Sequence, residues 1–329
     1  MIAHRHLGDD WRWVALLAAL TGIQLVWWAI AWRAGAAPLP YVGLYLAVAL
    51  GGVSVARVLA GLVRPRGQWA RWPAPLIGAV LVGLGASLFL PLKYAIPSLV
   101  PFWLDVPLAA AERSLFGTDP WQLLDRILGR AIVPVDRVYG LWLPTQLLGL
   151  FLVMIQAPSP AKSRALIAYG LAWFALGVAA AMLCSSAGPI FYDRLFGGGR
   201  FALLDAALRD RGAWVVVAES DAMWKAFATR TPSLVAGISA FPSMHVAISL
   251  WLYLAARTLA PRAAPLAGAY FLFMWIASVQ LGWHYVGDGL AGAAGMLGLW
   301  LLAGPLDRVL AEQIDRHRVD SKAISISEP

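Results

Sequence analysis

Phe241-Pro242-Ser243-Met244-His245 opens one long apolar run of this 329-residue chain, and Gly282-Trp283-His284-Tyr285-Val286-Gly287-Asp288 stands between the two that follow. The chain has five histidines, and His4, His6 and His317 lie in its polar ends. His245 and His284 are therefore the two set against hydrocarbon-length segments. An ionisable side chain at a membrane boundary is a functional candidate by default, because its placement there is costly.

The composition around these stretches is that of an integral membrane protein. Apolar residues make up 60% of the chain and charged residues 13%, with 17 tryptophans and a mean hydropathy of +0.69, which suits neither a soluble domain nor a disordered one. Runs of about twenty apolar residues, enough to cross a bilayer as helix, fall at roughly 12–32, 40–63, 74–91, 138–156, 165–184, 241–259, 265–284 and 288–303. The expectation is an all-α integral membrane protein of about eight transmembrane helices. Residues 1–11 could open a signal peptide, but the apolar run that follows is too long and shows no cleavage site, so it is read as the first span.

Short loops rich in Lys and Arg stay cytoplasmic. Arg64, Arg66 and Arg71, then Lys162 and Arg164, then Arg257 and Arg262 mark three such loops, none holding an acid. The long connections 92–137 and 185–239 mix acids with bases and are placed outside, with both termini in the cytoplasm. The expected setting is a bacterial inner membrane with the site on the periplasmic face. The net charge of +8 is absorbed by this loop bias, so no nucleic-acid partner is inferred. Cys184 is the only cysteine, which excludes an intramolecular disulfide and a cysteine metal cluster.

No repeat or low-complexity tract interrupts the chain. It divides into two N-terminal helices (1–72), a catalytic membrane domain (73–304) and a cytoplasmic tail (305–329). Segment 92–137 carries Trp103, Asp105, Glu112, Arg113, Trp121, Asp125 and Arg126 in short amphipathic stretches broken by prolines, a pattern for helices lying flat at the outer interface. Segment 185–239 contains Gly188-Pro189 and the run Gly197-Gly198-Gly199 and leads into the first histidine stretch. Both outer segments are expected to cap the site. Most of the tryptophans near predicted span ends read as interfacial belt residues.

Pro242 can occupy the first turn of a helix, which would place the amides of Ser243, Met244 and His245 at an outward-facing helix N-terminus. Such a terminus favours phosphate, and the Ser243 hydroxyl adds a donor. Alone, this would be an ordinary Pro-Ser helix start. His284 and Asp288, however, are four residues apart on one helical face at the outer end of the next span, close enough for the carboxylate to hold the imidazole, and His245 is expected on the adjacent antiparallel helix at the same membrane depth. Asp288 can take the Nδ1 proton and leave Nε2 free to attack phosphorus, with Asp288 as orienter and His284 as nucleophile.

Pro-Ser-Met-His followed about forty residues later by His-Tyr-Val-Gly-Asp resembles the type 2 phosphatidic acid phosphatase superfamily. The wording Gly237 to His245 and Leu281 to Tyr285 is similar to its inositolphosphotransferase branch, which includes inositol phosphorylceramide synthases. Weaker likeness extends to Lys93 through Trp121 and to Ser186-Ala187-Gly188-Pro189. The resemblance implies a six-helix catalytic core in which His284 forms a phosphohistidine, His245 protonates the leaving oxygen and then deprotonates the acceptor, and Asp288 orients His284. The chain departs from the phosphatases where they carry an Arg six residues before the nucleophile, since Ser278 stands there. It also lacks their Lys-x6-Arg-Pro motif, for which Lys225, Arg230 and Pro232 are the nearest approach.

Phosphate charge must then be met by other cations. Arg194, Arg200, Lys225 and Arg230 are the outer bases near the motif, Arg194 and Lys225 being preferred, and Lys93 at the end of the third span is a further candidate. No metal-ligand cluster and no cofactor is expected: two His and one Asp could ligate a metal, but the family chemistry runs without one. The expected activity is transfer of a phospho-headgroup, phosphoinositol-like, from a phospholipid donor to a lipid hydroxyl acceptor. The alternatives are a lipid phosphatase acting on phosphatidate or a polyprenyl (di)phosphate, and a non-catalytic lipid-binding or transport scaffold.

Overall fold

The computed structural model describes residues 9–33, 41–63, 70, 72–231 and 237–327, and within them the chain is all helical. Arg64, Arg66, Arg71, His4, His6 and Pro232 fall outside the described residues. Three long apolar helices come first: α1 (Asp9–Arg33), α2 (Val42–Val63) and α3 (Pro73–Leu99), the last with Pro73 in its first turn and Pro91 and Pro97 in its interior. Four shorter helices follow. α4 (Asp105–Phe116) ends at Gly117, whose φ of 73° takes the left-handed stop that glycine adopts without strain. α5 (Pro120–Leu128) is strongly amphipathic and starts on Pro120, and α6 (Ile132–Gly140) and α7 (Trp142–Met154) complete the group.

α8 (Pro160–Leu183) begins on Ser159, whose Oγ accepts from the Lys162 amide, and passes through a π-helical stretch at Ala175–Ala180. Segment 185–239 forms α9 (Pro189–Phe196), α10 (Ala202–Asp210) and α11 (Trp214–Thr229). The chain closes with α12 (Met244–Leu259), α13 (Ala264–Gln280) and α14 (Val286–Ser327).

Among the described residues six helices are long and apolar enough to cross a membrane, against the eight apolar runs of the sequence. The span expected at 138–156 is a helix pair bent by 41° between Gly140 and Trp142, and it makes a seventh crossing only if both limbs are counted together. Pro144 explains the break, since it has no N–H for the Gly140 carbonyl and its ring crowds that carbonyl. The span expected at 241–259 is the 16-residue α12, about 24 Å long at helical rise and shorter than a bilayer core. α14 continues unbroken from Val286 to Ser327 through Pro305.

Two apolar cores organise the chain. One joins Trp13 and Leu17 of α1, Val53 of α2, Leu166 and Ile167 of α8, Trp251 of α12 and Met296 of α14. The other joins the shorter helices around Tyr139, Phe191, Phe201, Leu204 and Tyr285. Trp142 packs against both, and His245 lies beside it at the seam.

At the opposite end of the bundle a buried polar cluster ties α1, α8 and α14 together. Lys162 is ion-paired with Asp10, Trp13 Nε1 donates to Asp10, and Asp307 receives Ser163 Oγ and, at 3.3 Å, Arg12. Lys162 is fully buried. Charges so placed must be paired, because an isolated one in this environment is very costly. The first helix therefore shares both its apolar packing and its buried charges with the helices that carry the histidines.

Candidate active site

α12 starts on Ser243. Its Oγ accepts from the Val246 amide at 3.3 Å, an ordinary N-cap. Pro242 consequently precedes the cap, joined to Phe241 by a cis peptide, and the expectation that it sits in the first turn is corrected. The Ser243 amide is not free either: it donates to the Asp288 carbonyl at 2.9 Å. That bond fastens the first histidine stretch to the second. It requires a close backbone approach, and Gly292 permits it, since a Cβ there would lie 2.3 Å from the Ser243 carbonyl oxygen.

The two histidines meet across this contact. His245 Nδ1 and His284 Nε2 are 3.3 Å apart, with the ring planes at 61°. His284 Nδ1 is 3.5 Å from Asp288 Oδ2, so the three side chains form a line. Oδ2 also accepts from the Tyr285 amide at 2.9 Å, the reciprocal half of a helix-start cap. Asp288 is fully buried and His284 nearly so, at 5% exposure. A bonded, buried carboxylate beside Nδ1 favours the tautomer with its proton on Nδ1 and a lone pair on Nε2, the nitrogen that faces His245.

His245 is held from the other side by aromatics that sequence reasoning did not single out. Tyr139 stacks on its ring at 4.9 Å, and Trp142 lies 4.3 Å away. Both flank the Gly140 bend, so the break in the α6–α7 pair brings them to the histidine. The pair Tyr139 and Trp142 on either side of a glycine, two residues ahead of Pro144, was the only local hint.

Segment 185–239 and α4 close over His284. The Ile190 amide donates to the Gly282 carbonyl, and Gly188, at φ 90°, sits where a Cβ would be 2.4 Å from the Trp283 carbonyl. Only glycine accepts both conditions. Asp105, fully buried, receives the amides of Ala187 and Gly188 at 2.8 Å each and the Ser186 hydroxyl at 3.1 Å. Burial raises its pKa, and those three bonds oppose the rise. Glu112 receives the Gly287 amide at 3.0 Å. Burial, with the Asp288 and Asp119 carboxylates adding, pushes its pKa up to about 7. Ala109, Glu112, Asp119, Trp121 and Phe201 line a small cavity against His284 and Tyr285.

Of the expected cations, the structure brings only Lys93 to the histidines. It lies near the end of α3, close enough for its ammonium to act electrostatically on His245. Arg194 is committed elsewhere: it pairs with Asp221 at 2.6 Å and lies over the Trp224 ring. Lys225 and Arg230 are exposed on α11 and at its C-cap, and among the described residues neither has an ion pair to the site. Two local causes account for these placements. Asp221 lies within the outer segment and holds Arg194 there, while α11 turns the other two toward the surface. Arg200 binds Asp119 and the Ala109 carbonyl, bracing α4. Ser278, which stands where the phosphatases carry an Arg, is buried and donates to the Trp275 carbonyl, while its own carbonyl accepts the His284 amide. No group of three or more His, Cys, Asp or Glu suited to a metal occurs among the described residues.

A family model described as the PAP2 superfamily matches residues 108–302, from within α4 to within α14, and takes in Glu112, His245, His284 and Asp288. No curated protein and no solved structure matches the chain.

Proposed function

Because the chain belongs to the PAP2 superfamily, it is a membrane enzyme of the phosphatase and phosphotransferase class, and we propose that it moves a phospho-headgroup, phosphoinositol-like, from a phospholipid to the hydroxyl of an acceptor lipid. The observation that carries the chemistry is the line Asp288–His284–His245, with Nε2 of one ring facing Nδ1 of the other. His284 Nε2 attacks phosphorus, the bond to the lipid alcohol breaks, and His245 gives that oxygen its proton. His245 then takes the proton of the acceptor hydroxyl as that oxygen attacks phosphorus and the N–P bond breaks. Asp288 holds Nδ1 and stabilises the charged ring. Lys93 supplies positive charge to the phosphate, with the Met244 and His245 amides at the α12 start.

Burial favours transfer over hydrolysis. His284 and Asp288 are withdrawn from solvent beneath α4 and the 186–190 stretch, and a water-poor phosphoenzyme survives until a bound alcohol arrives. Within the proposed catalytic domain, 73–304, segments 92–137 and 185–239 act as the cap. The site faces the outer leaflet, with both termini on the cytoplasmic side, on the strength of the Lys and Arg distribution in the short loops.

The test is product analysis of the purified protein in lipid nanodiscs. Phosphatidylinositol and phosphatidate are supplied with and without ceramide or diacylglycerol, beside His284→Ala and Asp288→Asn. A new phospholipid in the wild type, none with His284→Ala, and a rate lowered on the order of 10⁴-fold with Asp288→Asn are expected. Free phosphate or free headgroup without a new lipid would replace transfer by hydrolysis, and full turnover by His284→Ala would end the proposal.

A further inference from the structure

Glu112 has no place in the two-histidine chemistry, yet it is a carboxylate 7% exposed whose bonds go to the backbone at the start of the helix that carries Asp288. The first amides of a helix have no partner within it. In α14 these belong to Val286, Gly287 and Asp288. The Tyr285 amide is taken by Asp288 itself, and Glu112, reaching across from α4, takes Gly287 at 3.0 Å with Val286 also within its range.

The other end of the same helix face is anchored as firmly. Asp105 lies seven residues before Glu112, two helical turns, and so on the same side of α4. It binds the 186–188 backbone, which is itself joined to Gly282 through Ile190 and to Ala240 through Ser186. His284 sits between residues 282 and 287. One face of one helix thus grips the chain on both sides of the nucleophile.

We propose that Glu112 is a positioning residue for His284. By accepting the Gly287 amide it fixes the 284–288 turn against α4 and so sets where Nε2 points, while Asp105 anchors the helix that carries it. The proposal rests on the reading of His284 as nucleophile. A hydrogen-bond acceptor suffices for this role, and a protonated Glu112 still offers one carbonyl oxygen. Its neighbours are the carboxylates of Asp119 and Asp288, the His284 ring, and Arg113 and Arg200 through Asp119.

The experiment compares Glu112→Ala and Glu112→Gln with wild type and His284→Ala in nanodiscs. It measures kcat and KM on the donor that the wild type turns over, and the affinity for orthovanadate, an oxyanion that bonds directly to an imidazole nitrogen and needs no knowledge of the lipid. Because a misplacement of about 1 Å can cost on the order of a hundredfold, Glu112→Ala is expected to lower kcat by about ten- to a hundredfold. Its KM should stay within about twofold, and its vanadate affinity should fall by about tenfold.

Gln retains an acceptor oxygen, so it is expected to restore kcat to within about threefold of wild type, with the shape of the pH–rate profile unchanged. A Gln variant as impaired as Ala, or one that loses a limb of the profile near pH 7, would overturn the proposal by showing that Glu112 transfers a proton. Wild-type kcat and vanadate affinity in the Ala variant would overturn it as well. If Ala does not fold, the Gln variant decides alone: a kcat within about threefold of wild type with an unchanged pH profile upholds the proposal, and a loss of about tenfold or more, or a lost limb, overturns it. Vanadate binding and turnover that survive His284→Ala would instead strike the reading of the nucleophile.

Discussion

Replacing Gly292 by alanine tests whether the close approach of α12 and α14 sets the catalytic geometry. The added Cβ would lie 2.3 Å from the Ser243 carbonyl oxygen, 3.2 Å from its carbonyl carbon and 3.3 Å from its amide nitrogen. All three are backbone atoms, so no side chain can swing aside. Ordinary contact begins near 3.4 Å, and reaching it requires a displacement of about 1 Å between the start of α12 and the first turns of α14. The same displacement stretches the 2.9 Å bond from the Ser243 amide to Asp288 and moves His245, two residues along, away from His284. Overpacking of this kind costs about 1–3 kcal/mol of stability, and a misplacement of about 1 Å lowers the rate on the order of a hundredfold. Thermal unfolding in detergent and kcat in nanodiscs give the two readings. Gly298→Ala is the control on the same helix: nothing lies within 4 Å of its Cβ, and alanine there is neutral or stabilising by up to roughly 1 kcal/mol. Full turnover and wild-type unfolding in Gly292→Ala would refute the claim that this contact holds the histidines together.

Two other outcomes can be checked on the same preparations. Lys162→Met leaves Asp10 buried without its ion pair and should destabilise the protein by about 3–5 kcal/mol; adding Asp10→Asn should recover part of that loss, and unfolding midpoints of the single and double variants measure both. Glu112 titrates near 7 in the folded protein against an ordinary value of 4.5, chiefly because it is buried. A carboxyl whose pKa is raised on folding binds its proton more tightly in the native state, so its contribution to stability is present below 4.5 and is lost as pH rises toward and through 7. Wild type should therefore lose unfolding temperature relative to Glu112→Gln between pH 4.5 and 7.5, and parallel curves for the two proteins would contradict this.

What the chain alone determines is local or periodic. The apolar runs mark the long helices because a bilayer requires about twenty such residues in sequence, and they place α1, α2, α3, α8, α13 and α14 among the six candidate spans. Pro-Ser-Met-His and His-Tyr-Val-Gly-Asp single out His245, His284 and Asp288 because each stretch is contiguous; the helical face expected for the last two is not formed, since α14 starts at Val286 and His284 lies just before it, reaching Asp288 through the turn. Length misleads where geometry intervenes: the run at 138–156 is apolar throughout, but Pro144 bends it, and the run at 241–259 loses its first three residues to the cap at Ser243.

The tertiary structure decided which distant groups reach the site. Glu112 meets Gly287 across 175 positions, and Asp105 meets Gly188 across 83, separations at which no spacing rule operates. Arg194 looked like a phosphate ligand by proximity in the chain, but it had a nearer claimant in Asp221, whereas Lys93, remote in sequence, is carried to His245 by the length of α3. A pattern of residues records which faces must be buried. Which buried face meets which is settled only when the helices pack, because contact energies depend on shape and on the partner rather than on position along the chain.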